Sequence, residues 1–273
     1  MTDKDKWTIE RLDTNILSAS TVEHLHRYSI AQEFSADKKV LDIACGEGYG
    51  TNLISKRAEL VIGVDNNITT IKKAEIKYKN KKCHFIHGDI EALPFEVNYF
   101  DLIVCFETIE HVQNPNFAIS EIERVLKPDG ILLISSPNKL NYSDKTNYKN
   151  KYHIKEFYED EFIRLIKSSF VNVKLFSQQL AHTSLIFSTE INSTKYFSGN
   201  FENISNYHPE SIYFFVIAGK SNLPQLSNST FVANSIFEEG LIQKEKLIKT
   251  TYSYRIGHFL LYPFKVIKKI FNL

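Results

Sequence analysis

Residues 40–51 read VLDIACGEGYGT, and no other segment constrains the fold so strongly. Val40, Leu41, Ile43 and Ala44 make a short apolar run. Glycines then recur at every second position, Gly46, Gly48 and Gly50, and a polar stretch of helical spacing follows over 51–56. An apolar strand that turns on glycines into a helix opens a strand–helix–strand unit, and the glycines bring backbone N–H groups close to a ligand. The spacing Gly-x-Gly-x-Gly alone belongs to many dinucleotide-binding turns. Asp42 narrows it. An unpaired carboxylate inside a strand is costly to bury, so a cofactor here is expected to carry positive charge near Asp42.

The pattern continues downstream. Residues 60–65, LVIGVD, form the next apolar run, with Asp65 at its end about twenty residues after the glycine turn, where a carboxylate can accept both ribose hydroxyls of an adenosine-containing cofactor. A helix N-cap in the string Asp65-Asn66-Asn67 is the plainer alternative, since a polar helix is expected over 69–79. Further strands are expected at 83–87, 100–106 and 131–135, with a helix at 116–126 and a Lys127-Pro128-Asp129-Gly130 turn. The run 100–106, FDLIVCF, is apolar almost throughout, as a strand buried on both faces would be. Strands at 171–176 and 213–218, the latter as an edge hairpin partner, bring the total to seven. Such alternation predicts an α/β fold, a doubly wound and mostly parallel seven-stranded sheet with helices on both faces. Ligands bind such sheets outside the carboxyl ends of the strands, where Asp42, Gly46, Asp65, Asp89 and Glu107 all fall.

S-adenosylmethionine fits these features, having no phosphates but an α-ammonium and a sulfonium. The 40–51 segment resembles the first motif of the class I S-adenosylmethionine-dependent methyltransferases, and the whole order looks Rossmann-like in their manner. GDIEALPF, residues 88–95, is similar to the segment of that family whose acid meets the adenine amino group, which implies Asp89 and the Ile90 N–H. FETIEHV, residues 106–112, resembles the segment beneath the transferred methyl group. The resemblance extends the implied cofactor contacts to Ala44, Gly48, Asn66 and Phe106. The stretch from Glu23 to Thr51, with FETIEHVQNP, RVLKPDGILLISSPN and HIKEFYEDEF, looks like a narrower bacterial group associated with cell-surface polysaccharide assembly, over roughly residues 10–180. In that family the N-terminal segment folds over the cofactor, which implies contacts from Arg27 and Tyr28 to its carboxylate. The chain departs from the group's pattern at 138–152 and 181–212, where an acceptor would be read.

Composition bounds the rest. The chain has 273 residues, a net charge of +1 and three cysteines without CxxC spacing. Those numbers allow one substantial core with appended elements, give no global case for nucleic-acid binding, and favour buried thiols over disulfides or zinc. The N-terminus has no apolar leader, and no stretch of roughly eighteen apolar residues could span a bilayer, so a cytoplasmic protein is expected. Three parts follow: a helical lid at 1–39, a cofactor-binding domain at 40–219 with an insertion at 177–211, and a linker and basic amphipathic tail at 220–273. The insertion's Tyr196, Phe197, Phe201, Tyr207 and His208 suit either stacking on sugar faces or a small satellite core. Residues 244–273 combine seven Lys and Arg with many aromatics. They read as a peripheral anchor on an anionic membrane or as a helix docked on its own domain or on a second copy of the chain.

Methyl transfer to a sugar hydroxyl gains from a base. His111, His153 and Glu107 are the catalytic candidates, His111 first. Glu107, Glu110 and His111 resemble a set that binds divalent metal in quinone-biosynthesis methyltransferases. Capping and salt bridging on a helix explain the same spacing without metal, and no metal is expected. The acceptor expected is a hydroxyl of a cell-surface glycan or its sugar precursor. A quinone-like phenol or amino sugar is the alternative acceptor, and a non-catalytic cofactor-binding role the alternative function.

Overall fold

A computed structural model describes residues 12, 14–186 and 194–257. Its first helix, α1 (Ala19–Phe34), starts at Ser18, whose side chain and that of Thr21 cap it reciprocally. Then come β1 (Lys39–Ile43), α2 (Tyr49–Ser55), β2 (Leu60–Asp65), α3 (Ile68–Tyr78), β3 (Cys83–His87) and β4 (Phe100–Cys105). A single helical turn, Ile109–His111, precedes α4 (Pro115–Val125), β5 (Leu126–Pro137), α5 (Glu159–Lys167) and β6 (Asn172–Gln178). The two-stranded ribbon β7 (Phe197–Gly199) and β8 (Ile204–Asn206) stands apart from the main sheet. β9 (Tyr213–Gly219) and α6 (Asn234–Thr250) complete the order.

The main sheet has seven strands in the order β3-β2-β1-β4-β5-β9-β6. Pairings from β3 through β5 are parallel, and β9 runs antiparallel to both β5 and β6. This is the doubly wound, mostly parallel seven-stranded architecture expected from the alternation of runs. Its central strands are covered on both faces. Val40 and Leu41 are adjacent and both fully buried, yet they belong to two different apolar clusters, one on each side of the sheet. That is why residues 100–106 lack polar alternation.

The structure corrects three expectations. The strand at 213–219 is not at the edge. All but its first residue are buried, whereas β6 keeps partly exposed residues along its length, so the more apolar strand goes inside and β6 takes the edge. The expected turn at 127–130 is drawn into a twelve-residue β5, with a register shift between the Phe100–Leu126 and Leu102–Ile131 pairs. The segment after Gly219 is no free linker. Leu223 and Leu226 pack on the core, Lys174 Nζ donates to the Pro224 carbonyl at 3.2 Å, and His26 Nε2 meets Ser229 Oγ at 2.8 Å.

α6 lies near the N-terminal segment, with Leu17 N donating to Gln243 Oε1 at 3.2 Å. Leu241, Leu247 and Ile248 on it are exposed. No helix among the described residues is long and apolar enough to cross a membrane. Most of the tail expected at 250–273 lies outside the described residues, as do nearly all of 1–13 and part of the insertion.

Candidate active site

The carboxyl ends of β1, β2 and β4 and the loop after β3 open into one cavity of about 810 Å³. Ala44, Gly46, Asp65, Asn66, Asp89, Ile90, Phe106 and Tyr28 line it at one end. Glu107, Glu110, His111, Tyr142, Asn150, Tyr152, His153 and Tyr213 line the other.

The first end is built on backbone. Gly46 sits at φ 54°, and a Cβ there would meet nothing within 4 Å, so open space lies directly in front of the turn. The Asp65 carboxylate spans the turn and its own strand end, accepting Gly46 N at 3.1 Å and Asn67 N at 2.8 Å. The N-cap of α3 is Asn67, which accepts from Thr70 N at 3.0 Å, so capping does not claim Asp65. Ala44 holds a left-handed φ of 55°, a strain that clusters at functional turns.

Three residues expected at the cofactor, Arg27, Asp42 and Gly48, do not line the cavity. Gly48 is glycine for packing, since a Cβ would come within 2.6 Å of the Phe85 ring. Gly50 is glycine for the same kind of reason, with the Tyr28 ring pressed against it. Asp42 is fully buried below the turn, where Tyr28 Oη donates to it at 3.1 Å and Thr51 Oγ1 at 2.7 Å. Burial pushes its carboxyl up to about 7, so two hydroxyls and partial protonation answer the burial without a cationic ligand. Arg27 is buried as well. Its Nη1 donates to Gln178 Oε1 at 2.6 Å and lies 3.6 Å from Glu107 Oε1, and its guanidinium stands 5.2 Å from the Tyr213 ring centroid. That engagement ties α1 to β6, behind Glu107 and Tyr213 of the cavity wall.

The second end is built on side chains from distant segments. Glu107 leaves β4 at φ 48°. Its N–H donates to Ser135 Oγ at 3.1 Å, and that hydroxyl donates to Glu107 Oε1 at 2.6 Å. Glu107 and His111 therefore do not share a helical face, because the backbone breaks at Glu107 and only one turn follows. Glu110 is fully buried with Oε1 lacking a hydrogen-bond partner, and burial, then the Glu107 charge, holds its carboxyl well above the usual range. Its carbonyl accepts Ile154 N at 2.8 Å and Lys155 N at 3.0 Å, which fastens the 150–156 loop to the end of β4. The loop brings His153 against His111, ring centroids 4.9 Å apart, with Tyr142 stacked on His153 at 5.7 Å. A ligating atom from each of Glu110, His111 and His153 lies within 4.8 Å of the others, close enough to hold a cation.

Tyr142, Asn150, Tyr152 and Tyr213 were not found from sequence, because nothing in a loop's composition says which cavity it will close. The spacing of His153 and Glu156 in HIKEF was the available signal. The insertion's Tyr196, Phe197, Phe201, Tyr207 and His208 do not line the cavity, and Phe197 and Phe201 are exposed on the β7–β8 ribbon.

Residues 41–134 match a family described as a methyltransferase domain. A protein of Mycolicibacterium smegmatis named as a probable S-adenosylmethionine-dependent methyltransferase is 33% identical over 135 residues, 49% of this chain and 52% of that protein. A Mycobacterium tuberculosis protein of similar name is 32% identical over 140 residues, half of each chain. A ubiquinone biosynthesis O-methyltransferase of Coxiella burnetii is 32% identical over 104 residues, 37% of this chain and 44% of that one. The chain thus spans about half the length of the first of these relatives and less of the last. Among solved structures, a methyltransferase of Thermotoga maritima superposes with a TM-score of 0.52 at 18% identity, over 74% of this chain and 90% of that one. At that identity the likeness speaks for the fold. Residues 41–134 thus match the methyltransferase-domain family, and S-adenosylmethionine is the cofactor its relatives are named for.

The residues fit that cofactor. Among the described residues lining the cavity there is no Lys or Arg, and Gly46 N is already spent on Asp65. Such a wall suits an adenosine group without phosphates.

Proposed function

We propose that the protein transfers a methyl group from S-adenosylmethionine to a hydroxyl of a cell-surface glycan or its sugar precursor. One observation carries the methyl transfer. The cavity runs without a break from Asp65 and Asp89, suited to the adenosine, to His111 and His153, suited to an acceptor. When bound, the cofactor supplies an electrophilic methyl carbon. Asp65 would take the ribose hydroxyls and the Asp89–Ile90 segment the adenine. Gly46 leaves the room the cofactor needs, and the clasp at Glu110 holds the acceptor end against it. The chief task is positioning, because an oxygen held about 3 Å from the methyl carbon reacts far faster than one that must diffuse to it.

The acceptor class rests on the lining. Tyr142, Tyr152 and Tyr213 line this end with the amide of Asn150, a mixture of aromatic and hydrogen-bonding groups that suits a sugar better than a flat apolar ring. A quinone-like phenol is the second reading, favoured by the name of the Coxiella burnetii relative and by the resemblance of Glu107, Glu110 and His111 to the set found in quinone-biosynthesis methyltransferases. The test is incubation with labelled cofactor and a panel of nucleotide sugars, lipid-linked oligosaccharides and catechols. Label in a sugar supports the first reading, label in a catechol the second. Cofactor binding with no transfer to any acceptor points to a non-catalytic role.

The basic tail belongs to this reading as a peripheral anchor for a lipid-carried acceptor. Exposed Leu241, Leu247 and Ile248 on α6 extend its apolar character upstream. Co-sedimentation with anionic vesicles that weakens with salt would support the anchor. A protein that stays in the supernatant at low salt points instead to a packing or homodimer element.

A further inference from the structure

Two histidines face the acceptor end of the cavity, and their surroundings differ in a way that assigns their roles. His111 Nδ1 lies 3.0 Å from the Tyr152 carbonyl, a neutral acceptor, and the side chain is 31% exposed. His153 Nδ1 lies 2.6 Å from Glu156 Oε1, and both side chains are nearly buried, at 7% and 10% exposed. Glu156 is not part of the cavity wall, so its carboxylate stands behind the ring. On the ring's other side, His153 Nε2 meets Asn150 Nδ2 at 2.9 Å, and both His153 and Asn150 line the cavity. An amide nitrogen can only donate, so this contact requires a lone pair on Nε2. The carboxylate can only accept, so the other contact places the proton on Nδ1. Two independent partners thus select the same tautomer.

We propose that His153 is the catalytic base for the acceptor hydroxyl and that Glu156 is its positioning residue. The proposal rests on the methyltransferase reading. The acceptor hydroxyl takes the place of the Asn150 amide at Nε2. Its proton passes to Nε2 as the oxygen bonds to the methyl carbon, and the carbon–sulfur pair returns to sulfur. The imidazolium so formed lies between Glu156 and the product oxygen. A carboxylate stabilises that charge through an ion-paired hydrogen bond, which the neutral carbonyl behind His111 cannot supply. Tyr142, stacked on the His153 ring, and His111, edge-on to it, restrict the ring's rotation. The clasp of Ile154 N and Lys155 N on the Glu110 carbonyl anchors the loop that carries the base.

The test has a readout that needs neither acceptor nor cofactor. Long-range ¹H–¹⁵N correlation on histidine-labelled protein, with His153 assigned by its loss in His153→Gln, should show Nδ1–H and a bare Nε2. Glu156→Ala should release the second tautomer, while Glu156→Gln, whose amide oxygen still accepts, should keep the first. Turnover with the acceptor found above should fall at least a hundredfold in His153→Gln, within the roughly 10²–10⁴ range of general-base catalysis. It should fall about tenfold in Glu156→Gln, with KM for the acceptor and Kd for S-adenosylmethionine within about twofold of the wild type. An Nε2–H tautomer in the wild type, or undiminished turnover in Glu156→Ala, would overturn the proposal. So would turnover abolished by EDTA and restored by Mg²⁺, which would make Nε2 a metal ligand. A wild type that gives no calorimetric signal with S-adenosylmethionine instead overturns the underlying reading, separately from the tautomer result.

Discussion

The two ends of the cavity are made in different ways. The cofactor end uses backbone: a glycine turn, two strand ends and a carboxylate bonded to two N–H groups, all within residues 42–67 or one short loop beyond. The acceptor end uses side chains from the end of β4, the 140–156 loop and β9, joined by contacts such as His111 to the Tyr152 carbonyl across 41 positions. Backbone geometry set by a parallel sheet tolerates little variation, while side chains on loops can be exchanged without moving the sheet. A protein built this way can keep one cofactor while its acceptor changes. The difference is measurable, because substitutions at the first end should act on cofactor binding and those at the second on turnover.

The largest effect expected is at Gly46. A Gly46→Val side chain would force a β-branched residue into the left-handed region and fill the open space before the turn. The variant should fold but melt at the same temperature with and without S-adenosylmethionine, since linkage vanishes with binding. A normal ligand-induced melting shift would show that the cofactor does not approach this backbone.

Next comes Asp65→Ala. It removes charge-assisted hydrogen bonds worth about 1.5–3 kcal/mol each, so calorimetric affinity for the cofactor should fall at least tenfold. Because Asp65 also secures Gly46 N and Asn67 N, Asp65→Asn serves as a control that keeps an acceptor there. Unchanged affinity in both variants would remove Asp65 from the ribose.

These two positions also show what was legible in the sequence. Gly46 and Asp65 lie at strand ends, so the apolar runs that locate the strands locate them too. Asp42 was just as visible, but its partners were not. Tyr28 and Thr51 reach it from α1 and α2, and no spacing in the chain announces a hydroxyl donor from another element. The same holds for β9, whose place between β5 and β6 follows from relative burial rather than from order along the chain. The acceptor end was least legible, since Glu107 breaks the backbone where a helix had been expected to carry Glu107, Glu110 and His111 together.

A pH experiment sharpens the reassignment of Asp42. Burial raises its carboxyl from the ordinary 3.8 to about 7, so between those values the folded state holds a proton that the unfolded state releases. Its stabilising contribution is complete below about pH 4 and lost as pH rises through about 7, at ~1.4 kcal/mol per pKa unit. Asp42→Asn mimics the protonated form, and the Thr51 hydroxyl can turn to accept from the new amide. Denaturation of the variant should lack that decline across pH 4–7, and cofactor affinity should change less than in Asp65→Ala. A cofactor affinity that collapses in Asp42→Asn would return Asp42 to the ammonium.

The smallest effect is at Ala44, whose left-handed backbone has no side-chain partner to justify it. Adopting that region costs a non-glycine residue ~1–2 kcal/mol, and glycine's greater freedom in the unfolded chain offsets part of the relief, by ~0.5–1 kcal/mol. Ala44→Gly should therefore gain a fraction of a kcal/mol, which for a domain of this size is a rise of about 1–2 °C in Tm. Glu107 shares the left-handed φ, but the same substitution there would strip Ser135 and Arg27 of a carboxylate, so no gain is expected. Strain at the cofactor end would then be a feature of the turn alone, and strain at the acceptor end would be held in place by the side chain that carries it. A loss of stability in Ala44→Gly, measured by chemical denaturation beside the wild type, would mean that the methyl of Ala44 makes contacts that outweigh its backbone strain.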